Sequence, residues 1–230
     1  MNTQVDGPAV STDLSIPPGV DMEITLDIGP GGLDRYLDLV GDRRIPLIKY
    51  HEGSLTLVSP SQRHERSAER IDGFVKEVCG VLGIDYMATA STLYRRSDKD
   101  HGIEADKSYY IANEPTVREV EDEIDLAAYP PPDLMIEAVA THGPRKALAI
   151  CRELGVPEVW VYWVRRKAME FLLLDAQGQY QPSPSSRAFP FLTPADVLPW
   201  VVATPRESDM VWRNRLRAWV RDELAPRRNP

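Results

Sequence analysis

Residues 130–163 hold the pattern that most constrains the fold of this chain. Three prolines precede the apolar run DLMIEAVA, which is followed by the helical period of RKALAICREL and then by the β-prone run VPEVWVYWV. Proline favours extended backbone in the residue before it, and a run that is apolar on both alternating faces is typical of a strand covered on both sides. Inner strands with a helix between them predict a mixed α/β sheet flanked by helices, rather than a helix bundle or a β-sandwich.

Local patterns elsewhere support the same fold class. The segments IPLIKY and SLTLVS flank the short turn HEG and predict a hairpin, and MEFLLLD and GQYQPS predict a second one. A long helix begins near Ser59 and Pro60 and ends at Gly83. The short β-prone segments YMATAS, TLYRR and KSYYIA, separated by the polar stretch SDKDHG, predict a meander. FLTPADVLPWV suggests a short helix near the end of the domain.

We expect three regions along the chain. Residues 1–30 mix Pro, Gly, Ser and Thr without sustained periodicity, which predicts a loosely ordered N-terminal arm. Residues 31–204 then form one domain, and residues 205–230 form an amphipathic basic helix. That helix would dock on the core or on a second subunit, so a homodimer is expected. Its apolar face consists of Trp212, Leu216, Trp219, Val220 and Leu224.

Charge and hydropathy exclude several function classes. The net charge of −8 argues against a protein that coats nucleic acid by overall attraction, although residues 206–228 hold seven arginines against four acids. No apolar run approaches the roughly 20 residues of a membrane span, and the N-terminal sequence has no targeting pattern. We therefore expect a cytoplasmic protein.

The cysteines and most of the histidines give no sign of a metal site. Cys79 and Cys151 sit within apolar helical patterns, which favours buried thiols over a disulfide or a metal knuckle. His51, His101 and His142 have no spacing typical of a zinc site.

The acids of the first inner strand raise a more specific question. Asp133 and Glu137 are four residues apart, so they lie on the same face of a strand but about 13 Å from each other. They cannot both bind one small ion. Glu137 is flanked by Ile136 and Ala138, and an acid there is costly unless it is paired, hydrogen-bonded or metal-bound.

Other acids could join Glu137. The preceding strand region GIEADKSYYI offers Glu104 and Asp106, and the first turn of the long helix offers Glu65. Two or three carboxylates from neighbouring elements would suit Mg²⁺ or Mn²⁺. From spacing alone, a salt bridge to Arg or Lys explains Glu137 equally well.

Several blocks in order carry a family resemblance. The blocks KYHEGSLTLVSPSQRHE, STLYRRSDKDHGIEADKSYYIANEP, PPPDLMIEAV, LGVPEVWVYW and RAFPFL resemble, over residues 45–200, the Uma family of restriction-endonuclease-like proteins. This family is a branch of the PD-(D/E)XK nuclease superfamily. The resemblance implies that acids on two adjacent strands bind Mg²⁺ and activate water for hydrolysis of DNA. By position in the matching blocks, it implies roles for Asp106, Glu137 and Glu65 in metal binding and catalysis.

The catalytic lysine expected from the resemblance is the point of departure. The position after Glu137 that holds lysine in the E-x-K pattern is Val139, and the corresponding helix position in relatives falls on Ala147. Lys146 is adjacent, but one residue rotates a helical side chain by about 100°. We expect catalysis to use Lys146 or to be weakened.

Two further residues match the family pattern with open roles. Asp133 either organises the start of the strand or forms the edge of the site. His64, next to Glu65, either contacts a phosphate or serves as a surface or capping residue near the helix start.

Three hypotheses remain. The first is a Mg²⁺-dependent endodeoxyribonuclease. The second is a nuclease-fold module that is catalytically inactive and binds nucleic acid or a protein, which the residues Val139 and Ala147 favour. The third, a small-molecule hydrolase, lacks support because we find no Ser/His/Asp or Cys/His arrangement and no Gly-rich phosphate loop.

Overall fold

The fold is a mixed α/β arrangement of two β-sheets with flanking helices. The computed structural model describes residues 20–41, 46–96, 98–120, 124–141, 143–202 and 207–228. Within them the strands are β1 (Met22–Asp27), β2 (Leu47–His51), β3 (Ser54–Ser59), β4 (Met87–Ala88), β5 (Leu93–Arg95), β6 (His101–Glu104), β7 (Lys107–Tyr110), β8 (Leu134–Val139), β9 (Glu158–Trp163), β10 (Ala168–Leu174) and β11 (Tyr180–Ser183). The helices are α1 (Gly32–Val40), α2 (Gln62–Leu82), α3 (Glu114–Val117), α4 (Arg145–Leu154), α5 (Pro194–Val201), α6 (Asp209–Trp219) and α7 (Ala225–Arg228), with a wider π-helical turn at Val220–Leu224 between the last two.

The strand order shows how the predicted inner strands are used. The first sheet has the order β1-β3-β2-β6-β5 and the second β11-β10-β9-β8-β7-β4. β8 and β9 pair in parallel at the centre of the second sheet, and α4 connects them. All six residues of β8 are buried. The prediction of a mixed α/β fold with two inner strands is confirmed.

The chain passes from one sheet to the other between β6 and β7. β6 pairs with β2 and β5 in the first sheet, whereas β7 pairs with β8 and β4 in the second. The prediction of a single meander in this region is therefore wrong. Short β-prone segments indicate extended backbone, but they do not encode which partner strand is chosen. The crossing is only two residues long, Ala105 and Asp106.

Part of the expected N-terminal arm, residues 22–27, forms a strand. β1 pairs antiparallel with β3 from Met22↔Ser59 to Asp27↔Ser54. Its apolar and polar residues alternate, but all six are exposed, so the pattern lacks the apolar content of a buried strand. Residues 1–19 of the expected arm lie outside the described residues.

Helix α2 packs against the second sheet. Ser61 caps its N-terminus by accepting a hydrogen bond from the backbone N–H of His64, and Gly83 ends it in a left-handed conformation with φ 61°. Such a conformation favours glycine. The buried face of α2 belongs to the core cluster that also contains β8 and β9 residues, including Ile71, Phe74 and Val78.

The C-terminal helix docks on this chain's own core. Arg217 forms an ion pair with Glu77 of α2, and the apolar face is buried through Trp212, Leu216, Val220 and Leu224. Within the expected helix at 205–230, the described residues from 209 to 228 form α6, the π-helical turn and α7, and residues 205–206 and 229–230 lie outside the described residues.

Other local predictions are confirmed. Both predicted hairpins form, as β2–β3 and β10–β11, and α5 begins after a Thr193 cap with Pro194 in its first turn. Cys79 and Cys151 are buried free thiols. None of the described helices is long and apolar enough to cross a membrane.

Candidate functional site

Two buried acids face each other where β7 and β8 begin to pair. Lys107 of β7 is opposite Ile136 of β8 in an antiparallel ladder, so the same register places Asp106 opposite Glu137. Side chains directly opposite in such a pair share one face, with Cβ atoms roughly 5 Å apart. Both are buried, and the side chain of Glu137 is only 2% exposed. The crossing between the sheets thus places Asp106 next to Glu137.

The two carboxylate oxygens of Glu137 differ in their contacts. Its Oε2 atom accepts a hydrogen bond of 2.7 Å from Nζ of Lys49 in β2. Its Oε1 atom is buried and has no hydrogen-bond partner among the described residues. Burial raises the pKa of Glu137, Lys49 offsets part of that rise, and Asp106 adds to it.

The charge of Lys49 is favoured by the same acids. Burial lowers its pKa, but Glu137 and Asp106 outweigh burial, and the net shift is upward. The ammonium therefore stays charged beside the paired carboxylates.

Asp106 is fixed by two contacts. Its Oδ2 atom accepts a hydrogen bond of 2.7 Å from the backbone N–H of Ala138. Its Oδ1 atom lies 2.8 Å from Nε2 of His64. The other ring nitrogen of His64, Nδ1, lies 3.1 Å from Oδ2 of Asp21. The result is a buried Asp–His–Asp chain that ties the start of α2 to the crossing between the sheets.

Asp21 and His64 support each other electrostatically. Burial lowers the pKa of His64, but the carboxylates of Asp106 and Asp21 outweigh it and raise the pKa to about 10. Asp21 also accepts a hydrogen bond of 2.8 Å from the backbone N–H of Ser61, the cap of α2. A protonated His64 can hold Asp106 in one orientation.

The structure separates Glu65 from the paired acids. His64 points into the protein, whereas Glu65 is exposed because one helical position rotates a side chain by about 100°. Glu65 lines a different groove with Glu69, Arg70 and Trp212. Glu104 is buried, and its Oε2 atom accepts a hydrogen bond of 2.9 Å from the backbone N–H of Ile48.

Lys146 lies across a groove from the site. Its Nζ atom contacts the carbonyl oxygen of Ser54 at 2.9 Å, the hydroxyl of Ser54 at 3.1 Å and the hydroxyl of Thr56 at 2.6 Å. All three of these acceptors belong to β3. Lys49, rather than Lys146, is the lysine in contact with Glu137.

Asp133 organises the start of β8. Its carboxylate accepts hydrogen bonds from the backbone N–H groups of Ile111 and Asn113, at 2.6 and 2.9 Å, and from the side chain of Asn113 at 2.9 Å. Of the two roles left open by the sequence, this geometry supports the one at the strand start.

A groove of about 500 Å³ opens beside Lys49. One wall is the sheet surface formed by β1, β3 and β2, including Thr25 and Thr56. The other wall is the first turn of α4, with Arg145 and Lys146. We call this cavity the basic groove.

The paired acids fit a hard divalent cation, although no three His, Cys, Asp or Glu side chains form a metal-binding group among the described residues. Mg²⁺ is commonly held by only one or two carboxylates, with water and substrate phosphate as its other ligands. The buried Oε1 atom of Glu137, which has no hydrogen-bond partner among the residues that the structure describes, is an acceptor available to such an ion. Carboxylate oxygens also retain further lone pairs after one hydrogen bond. Asp106 and Glu137 would hold it.

Sequence reasoning missed Lys49 and Asp21 as site residues. Lys49 alternates with the buried Ile48 and Tyr50, so a polar face on this strand could have been read from the sequence. Asp21 gave no signal, because it precedes an exposed edge strand. His142 of the histidines considered above lies outside the described residues.

Comparison with known proteins identifies the fold and the family of the chain. No curated protein is significantly similar to the chain. Among solved structures, it is similar to one from Anabaena variabilis described as "a putative nuclease belonging to DUF820", with 20% sequence identity and a TM-score of 0.52. The alignment covers 74% of this chain and 98% of that one, which shows a shared fold. Residues 33–206 match the model of a family described as "Putative restriction endonuclease". Because this match spans more than half of the sequence, the chain belongs to the Uma2 family.

Proposed function

We propose that the protein is a divalent-metal-dependent endonuclease that hydrolyses DNA phosphodiester bonds, with Asp106 and Glu137 as the metal-binding acids. The observation that carries the proposal is the buried Oε1 atom of Glu137, which has no hydrogen-bond partner in the described part of the chain and lies on the face shared with Asp106. An unsatisfied buried carboxylate oxygen is costly, and a cation would satisfy it. Mg²⁺ and Mn²⁺ are the ions that suit this donor set.

Each residue of the site has a role under this proposal. A bound ion would lower the pKa of a water molecule and stabilise charge on the phosphate. Asp106 and Glu137 bind, and His64 with Asp21 keeps Asp106 in place. Lys49 supplies a fixed positive charge next to Glu137 and lines the basic groove, where it can contact the phosphate and orient water. Preorganised charge of this kind is a strong contribution to catalysis.

We propose that Lys49, rather than Lys146, is the lysine that acts beside the metal-binding acids. Its ammonium contacts Glu137 directly, whereas that of Lys146 is held by β3. We expect Lys49→Met to abolish cleavage, and Lys146→Ala to leave the maximal rate with saturating DNA largely intact.

Calorimetry of Mg²⁺ and Mn²⁺ binding tests the metal site. We expect the wild type to bind, Glu137→Gln and Asp106→Asn to lose binding, and Glu65→Gln to retain it. Glu65→Gln is the matched control because it removes the same charge from an exposed carboxylate of α2. Plasmid cleavage measured on the same samples should follow binding. A wild type that binds neither ion would overturn the proposal, whereas loss of binding in Glu65→Gln would restore Glu65 as a ligand.

One observation favours a second function. Both oxygens of Asp106 already have protein partners, and Lys49 balances Glu137, so the acids are largely compensated without an ion. A nuclease-fold module that binds nucleic acid or a protein without cutting would need no metal ion beyond these contacts. DNA binding without metal uptake or cleavage would select this function.

The homodimer and the cytoplasmic location stay predictions. Light scattering on the purified protein measures the first. Since the C-terminal helix packs on α2 through Trp212 and Leu216, a dimer would use other surfaces than that helix's apolar face.

A further inference from the structure

The basic groove concentrates positive charge on an acidic protein. Its lining includes the cations of Lys49, Arg145 and Lys146 and one carboxylate, Glu23, whereas the whole chain carries −8. Charges of one sign gathered in a cleft raise the local concentration of oppositely charged ligands. The groove therefore attracts anions although the protein as a whole repels them.

Lys146 is the most informative of these cations. Its three contacts are with neutral oxygens of Ser54 and Thr56, and it makes no ion pair within the described residues. Burial lowers its pKa, and nearby Lys49 acts in the same direction while Glu23 opposes both. An ammonium that is fixed in place but has no carboxylate partner there suits an anionic ligand. Because its side chain is already ordered, binding would lose little further side-chain entropy.

Arg145 extends the same wall of the groove. It is exposed at the first position of α4, and like Lys146 it makes no ion pair within the described part of the chain. Both residues belong to the first turn of the helix, where the positive end of the helix dipole adds to their charge.

The basic groove reaches the paired acids through Lys49. Lys49 lines the groove and contacts Glu137 at 2.7 Å, whereas Asp106 and Glu137 are buried and lie outside the lining. A phosphate in contact with Lys49 would therefore be one side chain away from Glu137. A small anion would fill only part of about 500 Å³, while a polymer with regularly spaced charges can contact Lys49 and the α4 wall at once.

We propose that the basic groove binds the DNA backbone, with Lys146 and Arg145 holding a phosphate that neighbours the one to be cut. This rests on the nuclease function proposed above and adds a binding subsite to it. Lys146 and Arg145 bind substrate and take no part in the chemical step. Since phosphate contacts fix the position of a protein on DNA without reading bases, the subsite sets the register of the strand rather than its sequence.

Fluorescence anisotropy of a short labelled DNA duplex, measured in EDTA, tests the subsite without cleavage. The variants are Lys146→Ala and Arg145→Ala, with Lys146→Arg as the charge-conserving control. Arg187→Ala is the matched control for charge, because it removes one exposed positive charge from a residue that does not line the groove. The backbone N–H of Arg187 bonds Glu158 at the start of β9. Loss of one phosphate contact should weaken binding roughly eightfold at about 0.1 M salt and reduce the salt slope by about one.

We expect weaker binding in the two groove variants, with Lys146→Arg and Arg187→Ala close to wild type. A cooperative thermal unfolding transition, measured for each variant, checks that the variant is folded. Equal affinity in all folded variants, or an equal loss in Arg187→Ala, would overturn the subsite. The same assay with a single-stranded probe shows which form of DNA the groove prefers.

Metal calorimetry on Lys146→Ala separates the two proposals. Unchanged Glu137-dependent metal binding together with unchanged DNA affinity would remove the subsite and leave the nuclease. Groove-dependent DNA binding in a protein that binds no metal would support the subsite as part of a non-cutting module and remove the nuclease.

Discussion

Nζ of Lys49 lies 2.7 Å from Oε2 of Glu137, and 88 positions of sequence separate the two residues. Glu137 is buried and Lys49 is half-buried, with side-chain exposures of 2% and 16%. Breaking a buried pair leaves one charge uncompensated and typically costs about 3–5 kcal/mol. We predict that Lys49→Met lowers the free energy of unfolding by about 3 kcal/mol, as measured by urea denaturation in EDTA.

The double variant Lys49→Met, Glu137→Gln is the control. It removes both charges and should recover part of the lost stability. If Lys49→Met unfolds at the same urea concentration as the wild type, the pair contributes nothing to the fold and Lys49 is held there for its charge alone.

A second prediction concerns acid stability. Burial raises the pKa of Asp21, but hydrogen bonds from His64 and Ser61 outweigh this and hold it below its usual value. An acid with a depressed folded pKa stabilises the protein above its unfolded pKa, about 3.9, and that stability is lost as the pH falls through the lower folded value. Asp21→Asn should thus cost roughly 2 kcal/mol near neutral pH, with a smaller difference from wild type below about pH 4. A difference that stays constant across this range would contradict the charge-based explanation.

Asp133→Ala separates strand organisation from metal binding. The variant loses three hydrogen bonds to Ile111 and Asn113, and the unfolding free energy should fall by roughly 2–4 kcal/mol. Calorimetric binding of Mn²⁺ by the folded variant should match the wild type. Lost metal binding without lost stability would place Asp133 in the site itself.

Glu23→Gln tests the charge of the basic groove in the opposite direction. Glu23 is the carboxylate in its lining and raises the pKa of both Lys49 and Lys146. Its neutralisation should tighten DNA binding several-fold at low salt, with a smaller gain as salt screens the groove. Weaker binding by Glu23→Gln in the anisotropy assay would argue that this residue contacts DNA or supports the groove.

Two glycines of α2 should respond oppositely to alanine. A Cβ atom at Gly73 would lie 3.2 Å from the ring of Trp212, whereas one at Gly80 would have no described atom within 4 Å. Gly80→Ala should stabilise the protein by about 0.5–1 kcal/mol through helix propensity. Gly73→Ala should lose that gain, and overpacking could cost about 1–3 kcal/mol. Equal thermal shifts in the two variants would show that the C-terminal helix moves aside freely.

The elements that sequence reasoning predicted well are those with strong local signals. α2 has a serine cap, a sustained apolar period and a terminal glycine, and β9 is apolar on both faces. The partners of short strands were not predictable in this way. β5 and β7 are both β-prone, yet they belong to different sheets, because the choice depends on contacts far away in the sequence.

The residues of the candidate site were likewise predictable only where a local sequence signal existed. Glu137 was identified because an acid on a buried strand is costly unless it is paired, hydrogen-bonded or metal-bound. Asp106 was assigned by the family resemblance, and the structure places it opposite Glu137. Lys49 was missed since its partner lies far along the chain. The choice of His64 over Glu65 as the residue facing Asp106 depends on helix rotation, which the sequence pattern gave only to within a residue.

Because the crossing at Ala105 and Asp106 brings Asp106 opposite Glu137 of β8, it bears on when the paired acids can meet during synthesis. During synthesis, Lys49, His64 and Asp106 all leave the ribosome before Glu137. No truncated product that ends before β8 can contain the paired acids, even if its first sheet has formed. The proposed metal site can therefore form only late in synthesis, once β8 has been made.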